Sequence, residues 1–238
     1  MSLPMTILNR KSRILSAFTL IELLTVIAVI AVLASFTIYA LHGVYRQKYI
    51  STARAEMRQL ETAIDSYHST YGFYPPDTPV TGDLGVVLVN PLYYELKGVT
   101  NNVANAAFQT LDGSSSILYT DVPKVFSNVN GFANCSKPGA AEDATGGRDF
   151  LHELTPRQTA TYTTNGVSVT LLVTSVGGPD TLYEPLGVPG LNPWRYRSTG
   201  TLTNNPGSYE LWVQLSISKT KNLVCNWDKS IQINNPLP

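Results

Sequence analysis

Residues that supply metal ligands and nucleophiles are scarce in this sequence. Among its 238 residues there are two cysteines, Cys135 and Cys225, and three histidines, His42, His68 and His152, with no cluster at metal-ligand spacing. The sequence also lacks a Gly-rich phosphate loop after a strand and a Gly-x-Ser-x-Gly nucleophile elbow. These absences predict a protein that is not an enzyme and has no metal or other cofactor, although a triad assembled only in three dimensions leaves no trace in a sequence.

The two cysteines leave two alternatives. In an exported domain Cys135 and Cys225 can form one disulfide bond, and their separation of 90 residues means that the bond would remove considerable conformational entropy from the unfolded chain. The other alternative is two unpaired thiols, one of them in a loop. The sequence favours the bridge.

Charge is also sparse, and it is unevenly placed. Charged residues make up 14% of the chain, 17 of them basic and 17 acidic, and every acidic residue lies after Ala17. Arg10, Lys11 and Arg13 lie before it, so the rest of the chain carries 14 basic residues against 17 acidic ones, a net charge of −3. A weakly acidic domain lacks the basic surface that nucleic-acid binding requires, and we expect no nucleic-acid partner.

The sequence does contain one long apolar run, at residues 18–41, in which Glu22 is the only charged residue. As an α-helix these 24 residues would be about 36 Å long, against a hydrocarbon core of roughly 30 Å, so the run predicts a membrane-spanning helix. Glu22 calls for a cationic partner there, since an ionised side chain inside a bilayer costs roughly 2.5–3.5 kcal/mol. On hydropathy alone, the run is also typical of an ordinary signal anchor that holds some other periplasmic domain.

The residues at the start of this run resemble those of a known family. A short basic leader and the small pair Ser16-Ala17 precede Phe18-Thr-Leu-Ile-Glu22-Leu, which resembles the N-terminal motif of type IV pilins and type II secretion pseudopilins. The resemblance implies that a prepilin peptidase cuts between Ala17 and Phe18 and that the new amino group of Phe18 is N-methylated. It also implies that Glu22 neutralises the Phe18 amino group of a neighbouring subunit during filament assembly, which agrees with the cost of an unpaired buried carboxylate. The chain departs from the family in having Ala17, where Gly usually precedes the cut.

The same resemblance implies where the protein works and with what. It predicts a single-pass protein of the bacterial inner membrane, with residues 1–17 as a basic leader, residues 18–41 as the transmembrane and filament-core helix, and the C-terminal domain in the periplasm. The implied partners are further copies of the chain in a homo-polymer, other pseudopilins, the prepilin peptidase, an inner-membrane assembly platform with its ATPase, and membrane lipid before assembly.

Residues 42–72 predict an amphipathic continuation of this helix into the globular domain. Apolar side chains recur there at alternating steps of three and four residues, which is typical of a helix packed on a core. We expect the helix to end at Tyr71-Gly72, because Gly favours a left-handed cap and Pro75-Pro76 prevent the helix from resuming. This ending also resembles the helix exit of the major pseudopilin of type II secretion. The apolar positions are Ile50, Ala53, Met57, Leu60, Ile64, Tyr67 and Tyr71.

Residues 73–158 show little regular pattern and are rich in Gly, Ser, Asn and Pro, especially at residues 127–147. We interpret them as a variable loop or helix insertion, with short helices at residues 84–89, 91–96, 103–111 and 123–126. The sequence assigns this part no function.

From residue 159 the hydrophobic pattern changes to the period of two that is typical of β-strands. Two such stretches, at residues 159–164 and 167–176, flank Asn165-Gly166, which predicts a β-hairpin with a type I′ turn. The clearest strand runs over residues 209–217, and further strands are predicted at residues 194–198, 223–227 and 231–233. We therefore expect an α+β, pilin-like fold, in which one long N-terminal helix packs on a C-terminal antiparallel sheet region, residues 159–238, that faces outward.

The region from Asn192-Pro-Trp to Tyr209-Glu-Leu is similar to a segment of the same pseudopilins that precedes a calcium-binding loop. In this chain the segment after the predicted strand is Ser218-Lys-Thr-Lys-Asn222, with two lysines and no acid, and nearby ammonium groups disfavour a hard cation. We therefore expect no calcium there. A calcium site elsewhere in this region would need other carboxylates, and the candidates are Asp180, Glu184 and Asp228. We interpret these three as ordinary surface groups.

These features together predict a structural subunit of a periplasmic pseudopilus that drives type II protein secretion, assembled by helix packing after cleavage between Ala17 and Phe18. One alternative is a type IV pilus pilin that serves adhesion, motility or DNA uptake. An alternative of another class is a membrane-anchored periplasmic binding domain or enzyme that never assembles. Filament formation that depends on Glu22 distinguishes this last alternative from the other two.

Overall fold

The computed structural model describes residues 18–78, 87–127, 129–136, 146–176, 184–200, 202, 204–217 and 219–234. The chain divides into two compact units, of which the first ends at Tyr45 and the second runs from Arg46 to Pro238. An N-terminal helix and mostly antiparallel sheets confirm the predicted α+β class. The elements in chain order are α1 (Leu20–Tyr71), α2 (Leu92–Lys97), β1 (Val99–Asn102), a 3₁₀ turn (Val103–Asn105), β2 (Ala107–Thr110), β3 (Ser116–Leu118), α3 (Val122–Val125), β4 (Cys135–Ser136), β5 (Thr159–Thr164), β6 (Val167–Leu172), β7 (Arg195–Arg197), β8 (Glu210–Ile217), β9 (Thr220–Cys225) and β10 (Gln232–Ile233).

Helix α1 has 52 residues and ends where the sequence predicts. Gly72 adopts a φ of 79°, a left-handed conformation that Gly tolerates best, and its N–H donates to the carbonyl of His68 at 2.8 Å. The ring of Tyr74 stacks on the imidazole of His68, with ring centroids 4.2 Å apart. The helix end is therefore covered by the residues that follow it.

The first unit requires a correction of the predicted membrane span. Over its whole length α1 is not apolar, since its later turns carry charged residues such as Arg46 and Glu56. Among the described helices, none combines the length and the apolarity needed to cross a membrane. This finding contradicts the predicted single pass over residues 18–41 and the inner-membrane location that depended on it.

The second half of α1 carries the predicted apolar stripe. Its residues belong to one hydrophobic core together with alternate residues of β8, the longest strand of the C-terminal sheet. This packing confirms that residues 50–67 form the core-facing side of the helix, while Tyr71 is half-buried at its margin. The buried stripe consists of Ile50, Ala53, Met57, Leu60, Ile64 and Tyr67, and β8 contributes Leu211, Val213, Leu215 and Ile217.

Strands β7 to β10 form one antiparallel sheet in the order β10-β9-β8-β7. Every residue of β8, the central strand beside β9, is buried. The second face is covered because Trp212 packs with Val87 and Leu223 in a separate apolar cluster, and the ring of Trp227 lies 5.7 Å from that of Trp212. The alternation of apolar and polar residues in β8 therefore does not give one buried and one exposed face, and the outward position of this sheet in a filament stays a prediction.

Strands β5 and β6 form the predicted hairpin, in the register that pairs Thr164 with Val167. Asn165 and Gly166 have φ values of 52° and 75°, and positive φ at both central positions is what a type I′ turn requires. The second strand ends at Leu172, which is earlier than the sequence predicts.

Residues 73–158 contain a sheet that the sequence does not predict. Strands β1 to β4 lie in the order β3-β2-β1-β4, with β1 antiparallel to β2 and parallel to β4. The predicted helix at residues 103–111 is wrong, because a single 3₁₀ turn is followed there by β2. These strands have two to four residues each, too few to show a period of two. Helices α2 and α3 confirm the predictions at residues 91–96 and 123–126. Of the helix predicted at residues 84–89, residues 84–86 lie outside the described structure, and residues 87 and 88 are helical.

The predicted disulfide between Cys135 and Cys225 is not formed, and both thiols are free. Cys135 lies half-buried in β4, whereas Cys225 is buried in β9 of a different sheet. Burial raises the pKa of both thiols, so both stay protonated at neutral pH. Separation along the sequence gives no distance in the fold, and a disulfide bond needs close Cα atoms.

A buried carboxylate joins α1 to the inserted sheet. Glu95 of α2 is 1% exposed and accepts hydrogen bonds from the hydroxyl of Tyr67 at 3.0 Å and from the N–H groups of Ala133 at 2.8 Å and Asn134 at 3.0 Å. The hydroxyl of Tyr71 donates to the side-chain oxygen of Asn134 at 2.7 Å. Burial raises the pKa of Glu95 to about 7, because the loss of hydration outweighs the hydrogen bonds that lower it.

Gly98, between α2 and β1, offers a test of this packing. It has a φ of 70°, and a Cβ atom added there would lie 2.6 Å from the carbonyl oxygen of Arg148. We expect Gly98→Ala to lower the free energy of unfolding by more than about 1 kcal/mol, since backbone atoms cannot move aside cheaply. Gly113→Ala is the matched control, with a similar φ of 71° but 3.6 Å to its nearest neighbour. Urea unfolding followed by tryptophan fluorescence compares the two, and equal losses would mean that the close approach at Gly98 is unimportant.

Glu95 predicts a pH dependence of stability. Its pKa in the folded chain, about 7, lies above the ordinary value of 4.5, so the folded chain holds an extra proton between these pH values. The free energy of unfolding should therefore be highest at the acid end of this window and fall, by at most roughly 3 kcal/mol, as pH rises through 7. Urea unfolding from pH 5 to pH 8, in about half-unit steps, measures this slope. Glu95→Gln should flatten the slope and Glu153→Gln, at an exposed glutamate, should not; the same slope in both variants would exclude Glu95 as its source.

Candidate assembly site at the start of helix α1

Helix α1 begins with a capping box that holds Glu22. The hydroxyl of Thr19 accepts a hydrogen bond from the N–H of Glu22 at 3.3 Å. In return, Oε2 of Glu22 accepts from the N–H of Thr19 at 2.9 Å and from its hydroxyl at 2.6 Å. This reciprocal pattern satisfies N–H groups that the first turn of a helix leaves without partners. In the single chain Glu22 is thus a local helix cap.

These contacts favour the charged form of Glu22. The hydrogen bond from the Thr19 hydroxyl, and after it the one from the Thr19 N–H, lowers the pKa of the Glu22 carboxyl below its ordinary value. The N-terminal end of a helix also favours a negative charge. Oε1 of Glu22 makes no hydrogen bond to any residue that the structure describes, so it can accept one from a cation.

The rest of this stretch exposes its apolar side chains. In residues 18–36, the large apolar side chains are 47–81% exposed. The hydroxyls of Thr25 and Ser35 donate to carbonyl groups of the preceding turn, at 2.9 and 2.6 Å. Both hydroxyls therefore have a hydrogen-bond partner within the helix. Exposed apolar surface of this extent marks an interaction site. We call it the N-terminal apolar surface, and it consists of Phe18, Leu20, Ile21, Leu23, Leu24, Val26, Ile27, Val29, Ile30, Val32, Leu33 and Phe36.

The predicted processing residues are only partly within the described structure. Phe18 is 73% exposed and lies next to the capping box, whereas Ala17 lies outside the described residues. In the uncut chain the nitrogen of Phe18 belongs to a peptide bond and carries no charge. The pairing of Glu22 with a Phe18 amino group, which needs both the cut and a second copy, stays a prediction.

Sequence reasoning missed the local role of Thr19, although its signal is present. Thr19 and Glu22 have the Ser/Thr-x-x-Glu spacing of a capping box, directly before an apolar run. It also missed the buried carboxylates Glu56, Asp77, Glu95 and Glu210. No local pattern marks those four, because only their tertiary contacts bury them.

The described residues hold no group of three or more His, Cys, Asp or Glu side chains that could bind a metal ion. At residues 219–222, where the sequence predicts no calcium site, Lys219 and Lys221 flank the start of β9. Asp228 uses Oδ1 to accept from the N–H and the hydroxyl of Ser230, both at 2.7 Å. Glu184 is exposed, and Asp180 lies outside the described residues.

Comparison with known proteins finds no family model, no curated protein and no solved structure that matches this chain. The resemblance of residues 17–23 to the pilin motif therefore remains a resemblance. Functional inference depends on the capping box, on the charge of Glu22 and on the N-terminal apolar surface.

The capping box predicts how the titration of Glu22 responds to substitution. Thr19→Ala removes the hydroxyl but keeps the backbone N–H, so the pKa of the Glu22 carboxyl should rise toward its ordinary value. Thr19→Ser keeps a hydroxyl and should leave this pKa low. The side-chain ¹³C shift of labelled glutamate, followed against pH in the full chain, measures it. An unchanged pKa in Thr19→Ala would contradict the capping box.

Proposed function

We propose that this chain is a pilin-like structural subunit that has no catalytic activity and assembles through α1 into a filament. In this proposal the filament is a pseudopilus that drives type II protein secretion. The observation that carries the proposal is the N-terminal apolar surface, which is exposed in the single chain and begins at one capped, ionised glutamate.

The energy of covering this surface supports assembly. Burying one large apolar side chain stabilises by roughly 1.5–3 kcal/mol, and association costs about 4–15 kcal/mol. The surface has twelve such side chains, so covering most of them by helices of other copies outweighs that cost. Small residues such as Ala28 and Ala31 lie between its large apolar residues, which suits close packing of helix on helix.

Glu22 gives this packing its specificity. A carboxylate brought into an apolar bundle is strongly unfavourable alone and tolerable beside a cation. Because Oε2 is held by Thr19, Oε1 is the oxygen that can receive the partner's charge. The proposed cation is the amino group of Phe18 on a neighbouring subunit, created by cleavage after Ala17 and then N-methylated. This pair would set the axial register of each subunit against the next.

Assembly of this kind implies further partners. A prepilin peptidase has to make the cut between Ala17 and Phe18, and an assembly platform with its ATPase has to add subunits. Other pseudopilins are the proposed minor components of the same filament.

Substitution of Glu22 tests the proposal. Glu22→Gln keeps an oxygen that can accept from the Thr19 N–H, as in other capping boxes, but it has no charge. Both Glu22→Gln and Glu22→Ala should therefore lose incorporation into filaments, while Glu153→Gln, at an exposed glutamate of the second unit, should not. Quantitative recovery of sheared or purified filaments measures incorporation.

The two Glu22 variants separate the possible outcomes. If Glu22→Gln assembles normally and Glu22→Ala does not, Glu22 acts as a cap and the charge pair is wrong. If both assemble normally, the proposed mechanism is wrong. Mass spectrometry of the mature chain should find an N-methylated Phe18 at its start, and retention of the first 17 residues in the cell would contradict the proposal.

A further inference from the structure

Among the described residues, strand β5 pairs on one side only, and its outward backbone groups can be assigned. Its two-stranded sheet contains only β6 besides itself among the described residues. The N–H of Val173 donates to the carbonyl of Gln158 at 2.8 Å, and hydrogen-bonded pairs recur at every second residue of an antiparallel ladder. Residues 160, 162 and 164 therefore direct their backbone groups to β6. Thr159, Thr161 and Thr163 direct theirs away from it, and no described residue bonds to them.

This edge lacks the features by which natural edge strands avoid pairing. From residue 158 to residue 165 there is no charged residue, no proline and no bulge in the register with β6. Thr161 and Thr163 are exposed. A further strand would therefore meet hydrogen-bonding groups that no described residue occupies.

We propose that a second copy of this chain covers this edge, by antiparallel pairing of the two β5 strands about a two-fold axis at Thr161. The strand is complementary to itself in this register. Thr161 faces Thr161, and Thr159 faces Thr163 of the partner subunit. Every residue with outward groups then meets another such residue, so each pair can exchange both of its N–H···O bonds.

The side chains of β5 match those of a second β5 strand, which favours a second copy of the chain over an unrelated peptide as the occupant of this edge. On one face of the extended sheet only threonines meet across the strands, a favourable cross-strand pair. On the other face Ala160 lies opposite Tyr162 of the partner subunit, so that a small side chain leaves room for a large one. At the margin Arg157 faces Asn165, so no like charges are opposed. An unrelated extended peptide would use the backbone groups without this matching.

The contact goes beyond the proposed filament and is independent of it. A two-fold contact uses the same patch on both copies and closes after two, whereas the packing of helices in a filament continues from subunit to subunit. Neither Phe18 nor Glu22 takes part. The pair is therefore expected in chains that do not form filaments.

Cysteine cross-linking of the full chain tests the register. Two residues in a hydrogen-bonded pair on the axis have Cα atoms about 5.5 Å apart, within the range of a disulfide bond. Thr163→Cys is the matched control, because it is also exposed but its two copies would lie about 13 Å apart along the strands. On mild oxidation Thr161→Cys should form a covalent dimer at least about tenfold faster than Thr163→Cys, because pairing raises the local thiol concentration. The unsubstituted chain reports any background from Cys135 and Cys225.

Each result decides the proposal. Fast cross-linking at residue 161 alone supports it. Equal rates at residues 161 and 163 would overturn it in favour of random collision or another register. No cross-link at residue 161 would overturn it as well, whether an unrelated peptide or solvent occupies the edge. The same cross-link should form in the Glu22→Gln chain, and its loss there would overturn the claimed independence from the filament.

Discussion

The apolar side chains that helix α1 presents along its length are the constraint on which the rest of this chain depends. In the second unit, its stripe from Ile50 to Tyr67 is buried against β8, and the C-terminal sheet is organised around that contact. In the first unit, residues 18–36 expose their apolar side chains instead. Exposure of such a surface to water is unfavourable, so we expect a partner to cover it. In the proposed assembly, copies of the same helix would cover this surface.

Carboxylates provide the specificity that apolar packing cannot. Glu56 of α1 accepts from the hydroxyl of Thr174 at 2.8 Å and so holds the loop after β6 against the helix. Asp77, which follows α1, accepts from the N–H of Ser198 at 2.9 Å and so holds the loop after β7. Glu95 holds the inserted sheet in the same way, at the expense of a raised pKa. A buried acid is favourable only when donors meet it in the right geometry, which excludes alternative packings.

The two proposed contacts between subunits use different physics. Packing of the N-terminal apolar surface is driven by loss of exposed hydrocarbon and is oriented by one charge at Glu22. Pairing at β5 gains little apolar burial and depends on the backbone hydrogen bonds of Thr159, Thr161 and Thr163. Because one contact propagates and the other closes in pairs, together they would join filaments side by side.

The sequence by itself determined the features that short-range pattern encodes. These are the end of α1 at Gly72, the stripe from Ile50 to Tyr67, the turn at Asn165-Gly166 and the strand around Leu211–Ile217, each of which needs only a period or one special φ. It also contained the capping box at Thr19. Only the tertiary structure decided that strands β1 to β4 form a sheet, that both faces of β8 are buried and that Cys135 and Cys225 lie on separate sheets. The physical reason is that burial, strand pairing and thiol distance depend on residues far apart in the chain, which no local periodicity records.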